Sequence, residues 1–349
     1  MTLREKVGQL LMVGFRGLQA GPRSSILRAV EAGLVGGVVL FDTDAALRRD
    51  WRNIASPAQV RKLIASLQRV APLPLLVAVD QEGGRVARLK KRHGFADLPS
   101  ARALGEADDP GATGKAAAAT AAMLAEAGFN LNFAPVVDLD SFPDNPVIGR
   151  LGRSFGADPL RVVRHARAVV AAHRRHGVAC CLKHFPGHGS SRGDSHLGFT
   201  DVSDTWRPEE IEPYRALIAE GLADAVMSAH VFNRRLDPAL PASLSPTVLA
   251  GLLRRDLGFA GALFSDDLDM RAIRGRFTRR QALELALNAG NDVLLLGNNL
   301  AYDAGAAGRA VAALLEAEAA GRIDPRRIAE ACGRVLELKA RLAAPGRKP

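Results

Sequence analysis

Between residues 183 and 196 the chain reads Lys-His-Phe-Pro-Gly-His-Gly-Ser-Ser-Arg-Gly-Asp-Ser-His, with one lysine, three histidines and one aspartate in fourteen residues. Its end, Asp194-Ser195-His196, carries a definite chemistry. A carboxylate two residues from an imidazole can orient the ring and favour its protonated form, giving an acid and base that works near neutral pH. The same spacing also suits an Asp-His hydrogen bond that only staples the loop. A third possibility is a metal site, because His184, His188, Asp194 and His196 offer imidazole and carboxylate ligands on one loop. Against a metal, first-shell ligands in a strand-end site usually come from several strands, and the other strand ends here offer only one histidine, His230.

Three further stretches carry reactive types. Residues 79–88, Val-Asp-Gln-Glu-Gly-Gly-Arg-Val-Ala-Arg, place two carboxylates, a double glycine and two arginines together. Such a turn can present Asp80 to hydroxyl groups and Arg88 as a bidentate donor, or be a loop held by its own ion pairs. In Phe264-Ser265-Asp266-Asp267-Leu268-Asp269-Met270 two adjacent carboxylates cannot both point the same way from an extended chain. Asp266 comes first after the apolar run and is expected to face a site, with Asp267 packing or capping. The loop at 149–158, Gly-Arg-Leu-Gly-Arg-Ser-Phe-Gly-Ala-Asp, holds Arg150 and Arg153 and leads into a helix capped by Asp158.

Something rigid must hold these groups. Apolar runs rich in Val and Leu occur at 9–15, 37–41, 75–79, 131–137, 178–182, 225–229, 262–264 and 293–296. Each is continuously apolar instead of alternating, as strands buried on both faces require, and helical patterns separate them. Ser56-Pro57, Asp158-Pro159, Ser245-Pro246 and Asp324-Pro325 mark helix starts, and glycines such as Gly33, Gly128, Gly177 and Gly290 mark stops. Eight strands alternating with helices predict an α/β chain folded as a single (β/α)8 TIM-type barrel over residues 1–343. A C-terminal helical tail runs from Asp324 to about Leu342, and a disordered end is expected at 344–349. An open doubly wound sheet is disfavoured because no dinucleotide glycine fingerprint follows the first strand. Active sites of the barrel gather at the carboxyl ends of its strands. Here those ends carry Asp42, Asp80, Asp138 with Asp140, Lys183 with His184, His230, Asp266 with Asp267, and Asn298. Asp42 and Asn298 are read simply as strand ends reaching solvent. Lys183 and His184 are read as leaving the strand that ends at Leu182.

Composition narrows the partners. The net charge of +10 raises nucleic acid, but the arginines fall in scattered pairs within helical patterns, 174/175, 254/255, 279/280 and 326/327, without aromatic interleaving. They are read as solvated helix faces, so nucleic acid is not expected. Cys180 and Cys181 are adjacent in a strand and Cys332 lies in a late helix, so reduced buried thiols are expected and not a disulfide framework. No apolar run approaches the ~18 residues of a membrane span, and the N-terminal stretch is too soon interrupted for a secretory signal. A cytoplasmic protein without membrane association follows as the expectation.

With these residues assembled, the sequence resembles family 3 glycoside hydrolases of the bacterial β-N-acetylhexosaminidase type. The likeness runs from Arg4-Glu-Lys-Val-Gly-Gln-Leu10 to the final helices, and Lys183-His-Phe-Pro-Gly-His-Gly189 with Asp194-Ser-His196 is its most specific part. The resemblance implies a retaining exo-β-N-acetylglucosaminidase, metal-independent and without cofactor, releasing terminal N-acetylglucosamine from a small carbohydrate substrate during peptidoglycan recycling. It implies Asp266 as the nucleophile that forms a covalent glycosyl intermediate and His196, paired with Asp194, as the general acid and base. It implies Asp80, Arg88, Arg153, Lys183 and His184 as the pocket for the terminal sugar, Arg153 being favoured over Arg150 by the Ser-Phe-Gly that follows. The chain departs from the family in reading Leu-Gly-Phe-Thr-Asp201 after His196, where a proline is usual, and in Leu-Asp-Met-Arg271 after Asp267, where small residues are frequent. A β-glucosidase or an N-acetylglucosaminide phosphorylase would share Asp266, and a metal-dependent hydrolase or a non-catalytic sugar-binding protein remain alternatives of other classes. A monomer is expected.

Overall fold

The computed structural model of the protein describes residues 1–195 and 197–343; His196 and the tail expected at 344–349 lie outside the described residues. Eight parallel strands form one sheet: β1 (Leu11–Gly14), β2 (Gly37–Val39), β3 (Leu76–Val79), β4 (Leu131–Asn132), β5 (Ala179–Phe185), β6 (Ala225–Ser228), β7 (Ala262–Ser265) and β8 (Leu294–Leu296). From β1 to β7 each strand pairs with the next in sequence, and β8 returns to β1 through Leu11↔Leu294 and Val13↔Leu296. A single bridge, Phe264↔Val293, with Ser265 N–H donating to Val293 O at 2.9 Å, nearly closes the circle between β7 and β8. The result is the expected α/β barrel, ringed by helices.

The continuous apolar runs have their cause in two packing surfaces. Met12, Val39, Leu76, Phe133, Cys181, Met227, Phe264 and Leu295 fill the barrel interior. Their strand neighbours, such as Leu11, Val38, Val77 and Leu294, pack outward with one set of helices, and Cys180 and Leu182 with another. Cys180 and Cys181 therefore serve opposite faces, and all three cysteines are buried and free. Ser56 and Asp158 cap their helices through side-chain oxygens, each with proline at the first turn. Gly128 ends the helix Pro110–Ala127 at φ 96°, a conformation that a Cβ would strain.

Two strand boundaries move. Strand β5 continues through Lys183 and His184 to Phe185, which pairs with Ser228, so these two residues sit on the strand and do not leave it at Leu182. Apolar patterning stops at Leu182, but the backbone ladder does not depend on side-chain polarity. Conversely β4 is only Leu131–Asn132, because Pro135 lacks the N–H a ladder needs, and the chain rejoins β5 by the bridge Val136↔Lys183.

The arginine pairs are also corrected: in each, one member turns inward onto a carboxylate. Arg174 meets Asp224, Arg279 meets Asp269 and Asp303, and both Arg254 and Arg327 meet Asp292, which is fully buried and also accepts from Arg334. Consecutive helical residues point in directions about 100° apart, so a pair cannot share one solvated face. Among the described residues no helix is long and apolar enough to cross a membrane.

The last helix, Pro325–Ala343, crosses the amino end of the barrel, where Val335 and Leu338 join the interior cluster. It also buries Lys339, whose Nζ donates to Gln9 Oε1 at 2.6 Å. Burial pushes this amine down to about 7. The unfolded chain keeps its proton up to the ordinary lysine range, so between pH 7 and about 10 the unfolded state binds more protons and stability rises with pH, by at most ~1.4 kcal/mol per pH unit. Lys339→Met should therefore exceed the parent in stability at pH 7, with the gap narrowing toward pH 10 in urea titrations. A constant gap would mean that the amine stays charged in the fold.

Candidate active site

The carboxyl end of β3 delivers Asp80, and the chain then doubles back in a short hairpin, Gln81–Gly83 against Val86–Ala87. Gln81 pins that hairpin: its Oε1 accepts from the backbone of Arg88 and Leu89, and its own backbone pairs with the Asn132 carboxamide. The turn returns Glu82 and Arg88 toward the barrel mouth. Lys183, reaching across from β5, donates to Asp80 Oδ1 at 2.8 Å and stands 2.7 Å from Glu82 Oε1. Arg88 Nη2 donates to the other Asp80 oxygen at 3.2 Å. Arg153 grips Glu82 with two donors, Nε and Nη2, each at 2.8 Å.

These contacts set the charge states. Burial alone would protonate Asp80, but Lys183 and Arg88 outweigh it and hold the carboxyl well below the usual range; Glu82, also buried, is lowered by Arg153 and Lys183. Against the cost of burial, Asp80 and Glu82 raise Lys183, and Glu82 raises Arg153. His184 behaves oppositely, because burial and the cations Arg153 and Lys183 keep its pKa well below the ordinary value. A neutral ring fits its partners: Nδ1–H donates to Asp138 Oδ2 at 2.7 Å, leaving Nε2 to accept from Arg153 Nη2 at 3.3 Å. Asp138 is fully buried and also accepts the backbone N–H groups of His184 and His188.

On the far side β7 ends in Asp266 and Asp267. Asp266 is tied to β6 by its N–H on Ser228 O at 3.1 Å, and its Oδ1 accepts the N–H of Asp267 at 2.8 Å. Asp267 accepts from the backbone of Gly297 and Asp269, at 2.7 and 2.9 Å, and burial together with Asp269 raises its carboxyl to about 7. Asp267 thus takes the capping part expected of it. His230 is occupied in the same way, between Ser243 Oγ and Asp267 O.

The segment after β5 folds over the mouth. Asn145 donates to the carbonyls of His188 and Gly189, and a Cβ on Gly189 would lie 1.8 Å from Leu139 O, which requires glycine there. His188 Nε2 meets Ser195 Oγ at 3.1 Å. Asp194 lines the same cleft as Asp80, Arg88, Arg153, Lys183, His184, Asp266 and Asp267. Its volume is about 410 Å³, within the ~300–1,000 Å³ of small-molecule sites. Below it the apolar barrel core, with Phe133, Met227 and Leu295, closes the floor. Among the described residues no group of three or more His, Cys, Asp or Glu side chains is placed to hold a metal ion. His184 and His188 are turned to Asp138, Arg153 and Ser195 instead.

The structure therefore brings together every expected site residue except His196, which lies outside the described residues. Arg150 is exposed and meets Asp144 at 3.5 Å, whereas Arg153 is buried in the cleft wall. Asp42 and Asn298 are not solvated strand ends: they are 1% and 2% exposed. Lys90 and Arg92 close on Asp42, and Asn298 donates to Gly14 O and Asp303 O. Glu82 and Asp138 were missed as site residues. Both stood in stretches already noted, Glu82 in the 79–88 turn and Asp138 at a strand end, but neither has a sequence neighbour that reveals its distant partner.

Glu82→Gln retains size but removes the charge that Lys183 and Arg153 share. A charge-assisted hydrogen bond is worth ~1.5–3 kcal/mol, so kcat/KM should fall ~10- to 100-fold in any assay of this cleft. Unchanged kinetics would mean that other groups fix the two cations.

Residues 2–338 match the glycosyl hydrolase family 3 N terminal domain. The chain belongs to glycoside hydrolase family 3. Two relatives within the family are named beta-hexosaminidase. That of Methylococcus capsulatus is 40% identical over 312 residues, 86% of this chain and 85% of its own. That of Nitrosomonas eutropha is 38% identical over 279 residues, 76% of this chain and 74% of its own. Solved structures of the family superpose closely. A β-N-acetylglucosaminidase from Paenibacillus sp. has a TM-score of 0.89 at 39% identity over all of this chain, which spans 64% of that one. The β-N-acetylhexosaminidase from Beutenbergia cavernae has a TM-score of 0.86 at 32% identity, with 97% and 99% covered. This family 3 glycoside hydrolase thus shares its barrel with enzymes acting on N-acetylated sugars.

Proposed function

We propose that the chain is a retaining exo-β-N-acetylglucosaminidase that removes terminal β-linked N-acetylglucosamine, with muropeptides of cytoplasmic peptidoglycan recycling as its substrates. The observation that carries this is one closed-floored cleft holding Asp266 opposite the Asp80–Lys183–Glu82–Arg153–His184 network, with Asp194 at its edge. A closed floor suits a single terminal sugar. The names of the relatives and structural neighbours support the acetamido sugar.

In the first displacement Asp266 attacks the anomeric carbon while His196, oriented by Asp194, passes its proton to the departing glycosidic oxygen. The bond to the aglycone breaks as the bond to Asp266 forms. Neutral His196 then takes a proton from water, whose oxygen displaces Asp266 from the sugar and restores both groups. Two inversions return the β-configuration. Asp80 accepts from sugar hydroxyls, Lys183 and Arg88 donate, and His184 is fixed by Asp138 so that its ring cannot turn away.

The test compares purified protein on aryl β-N-acetylglucosaminide and aryl β-glucoside, with and without chelator, and analyses products with and without phosphate. Preference for the acetamido sugar, free sugar as product and indifference to chelator support the proposal. Preference for the glucoside, sugar 1-phosphate as product, or loss with chelator would each replace it with the β-glucosidase, the phosphorylase or the metal-dependent hydrolase.

A further inference from the structure

The segment carrying Asp194 and Ser195 is anchored to neighbouring parts of the mouth at both ends. Ser195 O accepts from Ala272 N at 3.2 Å. Beyond it Thr200–Asp201 forms a two-residue parallel ladder with Val231–Phe232, the stretch that follows β6, and Val202 N donates to Phe232 O at 2.8 Å. Between these anchors stands Phe199, 48% exposed. Its ring lies 5.2 Å from that of Phe232, and the guanidinium of Arg276 sits over it, 4.9 Å from its centroid. Arg276 belongs to the segment after β7, the one that begins with Asp266.

A half-exposed phenylalanine is an unfavourable choice for a polar loop unless its ring has contacts to make. Here it makes two, one to each neighbouring loop, and the chain between the anchors contains no proline to stiffen it. We propose that Phe199, clasped by Phe232 and Arg276, is a positioning residue: it holds the Asp194-bearing segment in register with Asp266. This rests on the assignment of His196 and Asp194 as the acid and base. None of its three side chains lines the cleft. Its loss lowers the fraction of molecules with the acid in place, and so slows steps in proportion to their need for a proton.

The experiment follows kcat/KM over a leaving-group series, from dinitrophenyl N-acetylglucosaminide, whose phenolate departs unprotonated, to an N-acetylglucosamine disaccharide, whose alkoxide cannot. For Phe199→Ala the disaccharide should lose roughly 10-fold, the combined scale of one aromatic pair and one cation–π contact, and for Arg276→Gln about 3- to 5-fold, the scale of the cation–π contact alone, with the dinitrophenyl substrate nearly unchanged in both. Phe199→Tyr keeps the ring and should restore the parent ratio. His196→Ala is measured alongside. If it shows the leaving-group dependence and neither clasp variant does, the positioning role falls while the acid assignment stands. If His196→Ala itself is flat across the series, both fall. Equal losses on all substrates with a lowered melting temperature would reduce the clasp to plain stabilisation and overturn the proposal; Arg276→Gln, a change at an exposed side chain, keeps this comparison open if Phe199→Ala does not fold.

Discussion

Asp266→Ala should lower kcat by on the order of 10⁴-fold or more on every β-N-acetylglucosaminide, whatever its leaving group. The reason is that both displacements pass through the same carboxylate. Asp266 is the strand-end acid of β7 that lines the same cleft as Lys183 and His184, and its backbone is held by β6. Its neighbour Asp267 is already committed to the N–H groups of Gly297 and Asp269, so it has no route to substitute. Binding should survive, because Asp80 holds Arg88 and Lys183, and Glu82 holds Arg153, without Asp266. Titration calorimetry with N-acetylglucosamine would then give nearly the parent affinity. A variant that retained kcat within tenfold would remove Asp266 from the role of nucleophile.

His196→Ala should be selective where Asp266→Ala is uniform. A positioned general acid contributes ~10²–10⁴-fold, and that loss should be seen on a disaccharide or muropeptide and be small on an activated aryl glycoside during the first displacement. The pH profile supplies a second readout. The acid works only while protonated, so in the parent kcat/KM on poor leaving groups falls as pH rises through the imidazole pKa. His196→Ala should lose that alkaline limb. Parent-like rates on a natural glycoside would show that another group delivers the proton.

Much of this site was legible before any fold was known. The dense stretch at 183–196, the Asp-Asp pair after an apolar run and the Asp80–Arg88 turn each combine residue types whose chemistry is local, so spacing alone exposes them. The barrel was legible for the same kind of reason: a strand buried on both faces has no polar side and must read as an unbroken apolar run. What spacing could not reveal was which charges meet. Glu82 looks like any loop acid until the hairpin folds it against Arg153 and Lys183, 71 and 101 positions away. Asp42 looks like a solvated strand end until Lys90 and Arg92 close over it. The arginine pairs look like a basic surface until one member of each finds a buried or half-buried aspartate from another element.

The sequence by itself determined the strand and helix order, the barrel and most of the candidate site groups, because periodicity, capping residues and glycine stops act over a few neighbouring positions. Only the tertiary structure decided that Lys183 and His184 stay on the strand and that Arg153 grips Glu82. It likewise decided that His184 is neutral and that Phe199 ties two mouth loops together. Those outcomes depend on distances between residues far apart in the chain, and burial and Coulomb interaction are functions of that distance and of nothing in the local sequence.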